Sequence, residues 1–308
     1  GIGYTPSTLT SLNGELLFTV NDEIHGMELW KSASATNADL LKDIYQGTLD
    51  AGISTMAGYK HGVLFNATDD LGNELWKSGG TSASTSLVDD IRLGSASSSP
   101  NAMFTDGDRA FFMATSTSTR LHYSDGKESG TGYINVGPSN KSFIEHMRVG
   151  NELFLTYREF SSNILYKYVS GSSGSKVVTI NPSRLGDDIR NLTNFNGTLY
   201  FTADENANYG NELWKSNGTS SGTELVKNIR SSRDDSNPGN LLALDSVLLF
   251  SANNGSVGSE LWRSKGTDAT TELVMDINSG SPNSEISQMT NFDNKAYLFA
   301  IDGVNGRE

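Results

Sequence analysis

Three neighbouring residue types, a glutamate, a leucine and a tryptophan, recur together in this 308-residue sequence and carry most of its potential for chemistry. Two carboxylates about 5–10 Å apart can hydrolyse a glycosidic bond, and tryptophan rings can stack on sugars through their apolar faces. The recurring residues therefore raise the question of a carbohydrate-active site. The copies are Glu28-Leu29-Trp30, Glu74-Leu75-Trp76, Glu212-Leu213-Trp214 and Glu260-Leu261-Trp262.

The spacing of these copies reveals an internal repeat. Two degenerate copies place His122 and Tyr166 in the tryptophan slot, so the slot recurs every 44–48 residues, at positions 30, 76, 122, 166, 214 and 262. All four tryptophans of the chain occupy it. A period of this length, filled with short strands and tight turns, is typical of β-propeller blades.

One repeat predicts four strands, at residues 191–195, 198–203, 212–216 and 224–229, with an Asn-Gly hairpin turn between the first two. We therefore predict an all-β fold: a seven-bladed β-propeller of four-stranded blades in a single domain, 1–308, whose last blade is incomplete. The predicted repeats cover residues 9–52, 53–100, 101–141, 142–189, 190–239, 240–287 and, in part, 288–308.

The two ends of the sequence suggest a piece of a longer precursor. The chain starts at Gly1 without an initiator methionine, and Glu308 falls in the glutamate slot of the seventh repeat, one residue before the expected Leu-Trp. We expect a segment beyond Glu308 to complete the last blade.

The motif residues resemble the ELWxxDGT-repeat family of secreted and cell-surface proteins. The resemblance covers essentially the whole chain, although the aspartate of the family's turn is kept only at Asp125. It implies a β-propeller outside the cell or on its surface. It implies no catalytic residues, since none belong to the motif.

Strand alternation assigns structural roles to the motif. In a strand, leucine points to one face and glutamate and tryptophan to the other, and both faces of a blade must meet neighbouring blades. We therefore interpret the tryptophan slot as core rather than a row of sugar-binding rings. The glutamates lie on the predicted third strand, away from the innermost one, which favours buried hydrogen-bond acceptors over a catalytic pair.

Composition and spacing exclude several functions. The formal net charge of −13 argues against nucleic-acid binding, and no apolar run approaches the roughly 20 residues of a membrane span. The chain has no cysteine, and its four histidines lack zinc-ligand spacing. Oxygen-rich loops such as residues 21–23 and 204–206 allow Ca²⁺, but they lack EF-hand spacing and suit polar turns better. We predict no cofactor.

Two functions remain open. The first is a non-enzymatic extracellular or cell-surface propeller, a structural and protein-interaction module for adhesion or assembly. The alternative is a carbohydrate-binding or carbohydrate-active propeller with its site at the central channel. A binding face must break the repeat, and the densest departure supplies the candidate partner-binding residues Arg148, Tyr157, Arg158 and Phe160.

Overall fold

The computed structural model describes residues 6–34, 37–106, 108–135, 142–159, 162–169, 174–180, 189–205, 209–231 and 233–308. These residues form antiparallel sheets joined by turns and three short 3-10 segments, Ser82–Ser84, Glu128–Gly130 and Asp268–Thr270. None of the helical segments in the described ranges has the length and apolar character that crossing a membrane requires. The chain divides into two compact units, 1–140 and 141–308.

The first unit contains three four-stranded sheets, which we call blades 1 to 3. Each blade consists of four strands that are consecutive in sequence and hydrogen-bonded in that order. Blade 1 consists of β1 (Ser7–Leu12), β2 (Glu15–Asn21), β3 (Met27–Ser34) and β4 (Asn37–Lys42). Blade 2 consists of β5 (Met56–Tyr59), β6 (Gly62–Asp69), β7 (Gly72–Ser78) and β8 (Ser86–Asp89). Blade 3 consists of β9 (Asn101–Asp106), β10 (Arg109–Thr115), β11 (Thr119–Ser124) and β12 (Gly132–Tyr133).

The second unit contains blades 4 to 6 and a two-stranded blade 7. Blade 4 consists of β13 (Ser142–Val149), β14 (Glu152–Glu159), β15 (Ser162–Val169) and β16 (Ser175–Ile180), and blade 5 of β17 (Arg190–Phe195), β18 (Thr198–Asp204), β19 (Asn211–Ser216) and β20 (Thr223–Lys227). Blade 6 consists of β21 (Gly239–Ala243), β22 (Leu248–Asn253), β23 (Ser259–Ser264) and β24 (Glu272–Met275). Blade 7 consists of β25 (Ser287–Phe292) and β26 (Lys295–Phe299).

These seven sheets, the last one incomplete, confirm the predicted seven-bladed β-propeller. Within the first unit β1 contacts β5 and β5 contacts β9; within the second, β13, β17, β21 and β25 contact one another in turn. The first strand of each blade is therefore the inner one, and the motif glutamates on the third strand lie away from it.

Blades pack by placing the tryptophan side of one against the leucine side of the blade before it. Leu29 and Leu41 of blade 1 share a core cluster with Trp76 of blade 2. Leu213 of blade 5 shares one with Trp262 of blade 6. In the four blades that contain a tryptophan, it faces a phenylalanine on the second strand, as in the pair Phe65–Trp76. A blade alone leaves both faces exposed, so its stability depends on its neighbours.

The serine that ends the motif closes the next turn. In blade 2, Ser78 Oγ lies 2.8 Å from Thr85 Oγ1, and Gly80 donates its N–H to the same serine oxygen. Gly80 has φ +90°, a left-handed conformation that glycine adopts without steric cost. The same serine–threonine pair recurs in blades 3, 5 and 6.

The indole N–H groups of the slot are not equally satisfied. Trp214 donates to the carbonyl of Ala203 at 3.1 Å. The buried indole nitrogens of Trp30, Trp76 and Trp262 have no hydrogen-bond partner among the described residues. Burial of the apolar ring surface, more than a hydrogen bond shared by all repeats, therefore holds the tryptophans in place.

The interblade contact predicts an unequal response at two equivalent leucines. Leu213 is fully buried under blade 6, whereas Leu261 is only partly buried because the following blade lacks its third and fourth strands. Leu213→Ala should lower the free energy of unfolding by about 2–5 kcal/mol. Leu261→Ala should cost clearly less. Urea unfolding of both variants checks this, and equal losses would contradict it.

Candidate functional site

The four motif glutamates are buried hydrogen-bond acceptors, not a carboxylate ring. The carboxylate of Glu212 accepts N–H bonds from Ile229 and Arg230 at 3.1 and 3.2 Å and the hydroxyl of Ser236 at 2.5 Å. Glu28 and Glu74 accept backbone N–H groups from the same segment, which leads from the fourth strand to the next blade. Each glutamate thus ties a third strand to the loop that leaves its own blade.

Burial changes the acidity of these carboxyls. Desolvation raises the pKa of Glu28 and of Glu212 to about 7, and the N–H groups they accept only partly oppose it. Burial raises the pKa of Glu74 as well. Such groups are structural ties, because they face backbone amides rather than an open site.

The acidic loops before the glutamates use their oxygens locally. Asp22 accepts the N–H groups of Ile24 and His25, and Asp69 accepts that of Leu71. These are the turns in which a short polar side chain replaces a backbone acceptor. Within the described ranges, histidine, aspartate and glutamate form no group of three or more suited to a metal ion, and the Ca²⁺ hypothesis stays a prediction.

The candidate partner-binding residues do not form one surface. Arg148 pairs with Leu153 near one end of the β13–β14 hairpin, whereas Arg158 pairs with Ser142 at the other end. Tyr157 is buried, with its ring edge-on to Phe143 and Tyr166, so its assignment as a partner-binding residue is wrong. It lies on the second strand of blade 4, where residues 153–157 are buried on both faces. Phe160 lies outside the described residues.

A cleft between blades 2 and 3 is large enough for a small ligand. It encloses about 420 Å³, within the range of small-molecule pockets. The end of β5 supplies Tyr59 and the following turn supplies His61. The end of β7 supplies Lys77, and the turn after β11 supplies Asp125 and Lys127. Serine side chains of the turn after β7 add hydroxyl groups to one wall.

The cleft combines an aromatic wall with mixed charge. The rings of Tyr59 and His61 meet edge-on, 5.9 Å apart. Burial raises the pKa of the Tyr59 hydroxyl, and the negative charge of Asp125 adds to the shift. The phenol therefore remains a proton donor. Two ammonium groups against one carboxylate give a local positive excess on a chain whose formal net charge is −13.

One of the two lysines belongs to the repeat and the other does not. Lys77 donates to the carbonyl of Gly126 in the next blade at 2.9 Å, and Lys215 makes the equivalent bond to Gly266 at 2.8 Å. Lys77 is therefore an interblade tie. The side chain of Lys127 is exposed and makes no hydrogen bond or ion pair with another described residue.

The cleft residues are local departures from the repeat. Where blades 2, 5 and 6 have a threonine after the turn glycine, blade 3 has Lys127. Thr81 of blade 2 caps the following 3-10 segment by accepting the N–H of Ser84, whereas Lys127 provides no side-chain cap. Loss of such a cap costs about 1 kcal/mol in a helix. Residues that lower local stability in this way are typical of functional positions.

His61 breaks the repeat in the same way. Blades 1 and 5 have the glycine of an Asn-Gly turn where blade 2 has His61. Aligning the repeats and marking charged residues in glycine and threonine slots finds both His61 and Lys127. Sequence analysis missed them because it looked for the densest departure from the repeat, at residues 148–160, and not for single substitutions in the repeat's own turns.

Comparisons with known proteins return only distant likenesses. No family model matches the chain, and no curated protein matches it. Similar solved structures include one from a study of two prolyl endopeptidases, 15% identical with a TM-score of 0.47, covering 96% of this chain and 46% of the other. Another is oligopeptidase B from Trypanosoma brucei, 11% identical with a TM-score of 0.45, covering 99% and 48%. This chain spans about half the length of each.

A third similar structure is the β-propeller domain of the Trilobed protease from Pyrococcus furiosus, 11% identical with a TM-score of 0.42, covering 99% of this chain and 97% of that domain. The prediction of a non-enzymatic adhesion or assembly module is contradicted: no comparison gives evidence of an adhesion role, and these three similar structures come from peptidases. At these identities and TM-scores the likeness carries no activity over to this chain. The ELWxxDGT resemblance, the extracellular location and the absence of catalysis stay predictions.

The raised pKa of Glu212 predicts how stability depends on pH. The folded carboxyl holds its proton up to about pH 7, whereas the unfolded one releases it near 4.5. The folded state therefore binds more protons in this window, and stability falls as pH rises through it. Glu212→Gln should flatten the decline in Tm between pH 5 and 8, while Glu224→Gln, at an exposed position, should not. An unchanged slope in Glu212→Gln would contradict the assignment.

Proposed function

We propose that this chain is a ligand-binding β-propeller domain whose cleft between blades 2 and 3 takes a small, hydroxyl-rich anion of the acidic-sugar class. The observation that carries the proposal is the side chain of Lys127, which replaces a capping threonine in the lining of a cleft of about 420 Å³ and makes no hydrogen bond or ion pair with another described residue. An ammonium there offers three donors to a carboxylate or sulfate.

The other lining residues suit the rest of such a ligand. Tyr59 and His61 present ring edges and faces against which the apolar side of a sugar packs. Asp125 is a carboxylate acceptor for sugar hydroxyls, and it disfavours a simple inorganic anion by like-charge repulsion. Serine hydroxyls of the turn after β7 add further polar contacts.

Binding, rather than hydrolysis, fits the acids present. Asp125 is the single carboxylate among the described residues that line the cleft, and glycoside hydrolysis in most enzymes uses two. The site lies beside the turns of adjacent blades, and Tyr59, at the end of β5, is the one described lining residue on an inner strand. It therefore differs from the central-channel site that the sequence suggests for a carbohydrate.

The proposal predicts selective binding. Oligosaccharides of a uronic acid should bind with an affinity that falls as salt rises, and neutral hexose oligosaccharides of the same length should bind more weakly. Lys127→Thr restores the residue of the other blades and should weaken uronate binding roughly tenfold or more, because it removes a charge-assisted hydrogen bond. Isothermal titration calorimetry at two salt concentrations measures both effects.

A matched control separates the cleft from general surface charge. Lys265 lies in the corresponding turn of blade 6, and Lys265→Asn introduces the residue that blade 5 has there. This variant changes the net charge as Lys127→Thr does and should leave uronate binding unchanged. Equal affinity for neutral and acidic sugars, or equal losses in the two variants, would overturn the proposal.

A further inference from the structure

Two groups in the cleft between blades 2 and 3 can transfer protons, a property that ligand binding alone does not need. Tyr59 carries a phenolic hydroxyl and His61 an imidazole, and both residues line the cleft. Their ring centroids lie 5.9 Å apart, with the ring planes at 78°. The His61 ring makes no hydrogen bond or ion pair with another described residue. The lone pair of a neutral imidazole there is therefore available to accept a proton.

The hydroxyl of Tyr59 is held against the turn of the next blade. A Cβ built on Gly126 would clash with the Tyr59 hydroxyl oxygen, so the close approach requires a glycine at this position. The carbonyl of the same glycine accepts a hydrogen bond from the Lys77 ammonium at 2.9 Å. Burial, with a contribution from the negative charge of Asp125, raises the pKa of Tyr59. The phenol therefore keeps its proton at neutral pH, one residue away from Lys127 in the turn that it contacts.

The corresponding interface between blades 5 and 6 shows which of these groups the fold itself requires. There Tyr200 packs its hydroxyl against Gly266 in the same way. Tyr200 is only 4% exposed, whereas Tyr59 is partly exposed. That interface has a glycine at the position of His61 and a threonine at the position of Lys127. Blades 2 and 3 thus add a base and a cation around a tyrosine that reaches the cleft.

The ligand class of the proposed function contains a bond that such a set of groups can break. In a 4-linked uronic acid, the proton on C5 lies next to the carboxylate and one carbon away from the glycosidic oxygen on C4. Removal of that proton shifts negative charge onto the carboxylate, and a cation beside the carboxylate stabilises this charge. The reaction uses a base, an acid and a cation, and not the pair of carboxylates that glycoside hydrolysis uses in most enzymes.

We propose that the cleft cleaves 4-linked polyuronates by β-elimination, an activity that rests on the proposed binding of an acidic sugar. Lys127 pairs with the uronate carboxylate, and His61 removes the C5 proton. The electron pair of the C5–H bond forms a C4=C5 double bond, the C4–O4 bond breaks, and Tyr59 gives its proton to the leaving oxygen. Proton transfer from the His61 imidazolium to the Tyr59 phenolate, directly or through water, restores both groups, so no co-substrate is consumed.

The test supplies the intact chain with polygalacturonate, polymannuronate and polyglucuronate. Elimination leaves a double bond conjugated with the carboxylate, so the ultraviolet absorbance of at least one mixture should rise with time. Mass spectrometry should find products that are lighter by one water than the products of hydrolysis. Isothermal titration calorimetry with short oligomers of the same three sugars measures binding separately.

Variants separate proton transfer from binding. Tyr59→Phe and His61→Phe both keep a planar ring in the cleft, and each should lower kcat about a hundredfold or more, because each removes one proton-transfer group. The Kd for the oligomers should change by less than about threefold in both variants, since the ring contacts and Lys127 remain. Tyr133→Phe alters a half-exposed tyrosine outside the cleft and should leave turnover unchanged.

The outcomes distinguish this activity from the binding on which it rests. Saturable binding of the oligomers without an unsaturated product from any of the three polymers overturns the elimination and leaves the binding proposal standing. A saturated product that has gained water overturns the elimination as well. Full turnover in Tyr59→Phe or His61→Phe overturns the mechanism. If none of the oligomers binds, the binding proposal itself fails and the elimination falls with it.

Discussion

Coverage of one blade's leucine side by the next blade's aromatic side is the contact on which this fold depends. A four-stranded sheet of this size exposes two apolar faces, and neither is stable in water by itself. Leu213 and Val226 become buried only because Trp262 and its strand lie over them. Where the following blade is incomplete, the same slots in blade 6 remain exposed. Stability is therefore shared between neighbours.

A polar framework fixes how the faces meet. The buried glutamate holds the segment that leaves each blade, the serine–threonine pair closes the outer turn, and the motif lysine reaches the turn glycine of the next blade. These bonds are directional, whereas apolar burial is not. The motif glutamates, which the sequence suggests for catalysis, therefore have a structural role, and their carboxyl groups accept backbone N–H groups.

Function, in this arrangement, requires residues that the repeat does not need. Lys127 and His61 stand where a capping threonine and a turn glycine suffice in other blades. Both project into a cleft that the packing of blades 2 and 3 creates. Neither contributes to the framework, and the proposed ligand accounts for their presence in the cleft. The buried Tyr157 shows the converse, an irregular residue used for packing.

The sequence by itself determined the all-β class, the blade count, the strand order and the structural role of the glutamate, because period and strand alternation are properties of the chain alone. Departures such as Lys127 were visible in it, but their proximity was not. Which turns of adjacent blades meet, and whether Tyr157 faces solvent or core, depends on how sheets pack. Tertiary structure alone decided that Tyr59, His61, Asp125 and Lys127 share one cleft, because the residues that build it lie on turns some 65 positions apart in the chain and are joined only by interblade packing.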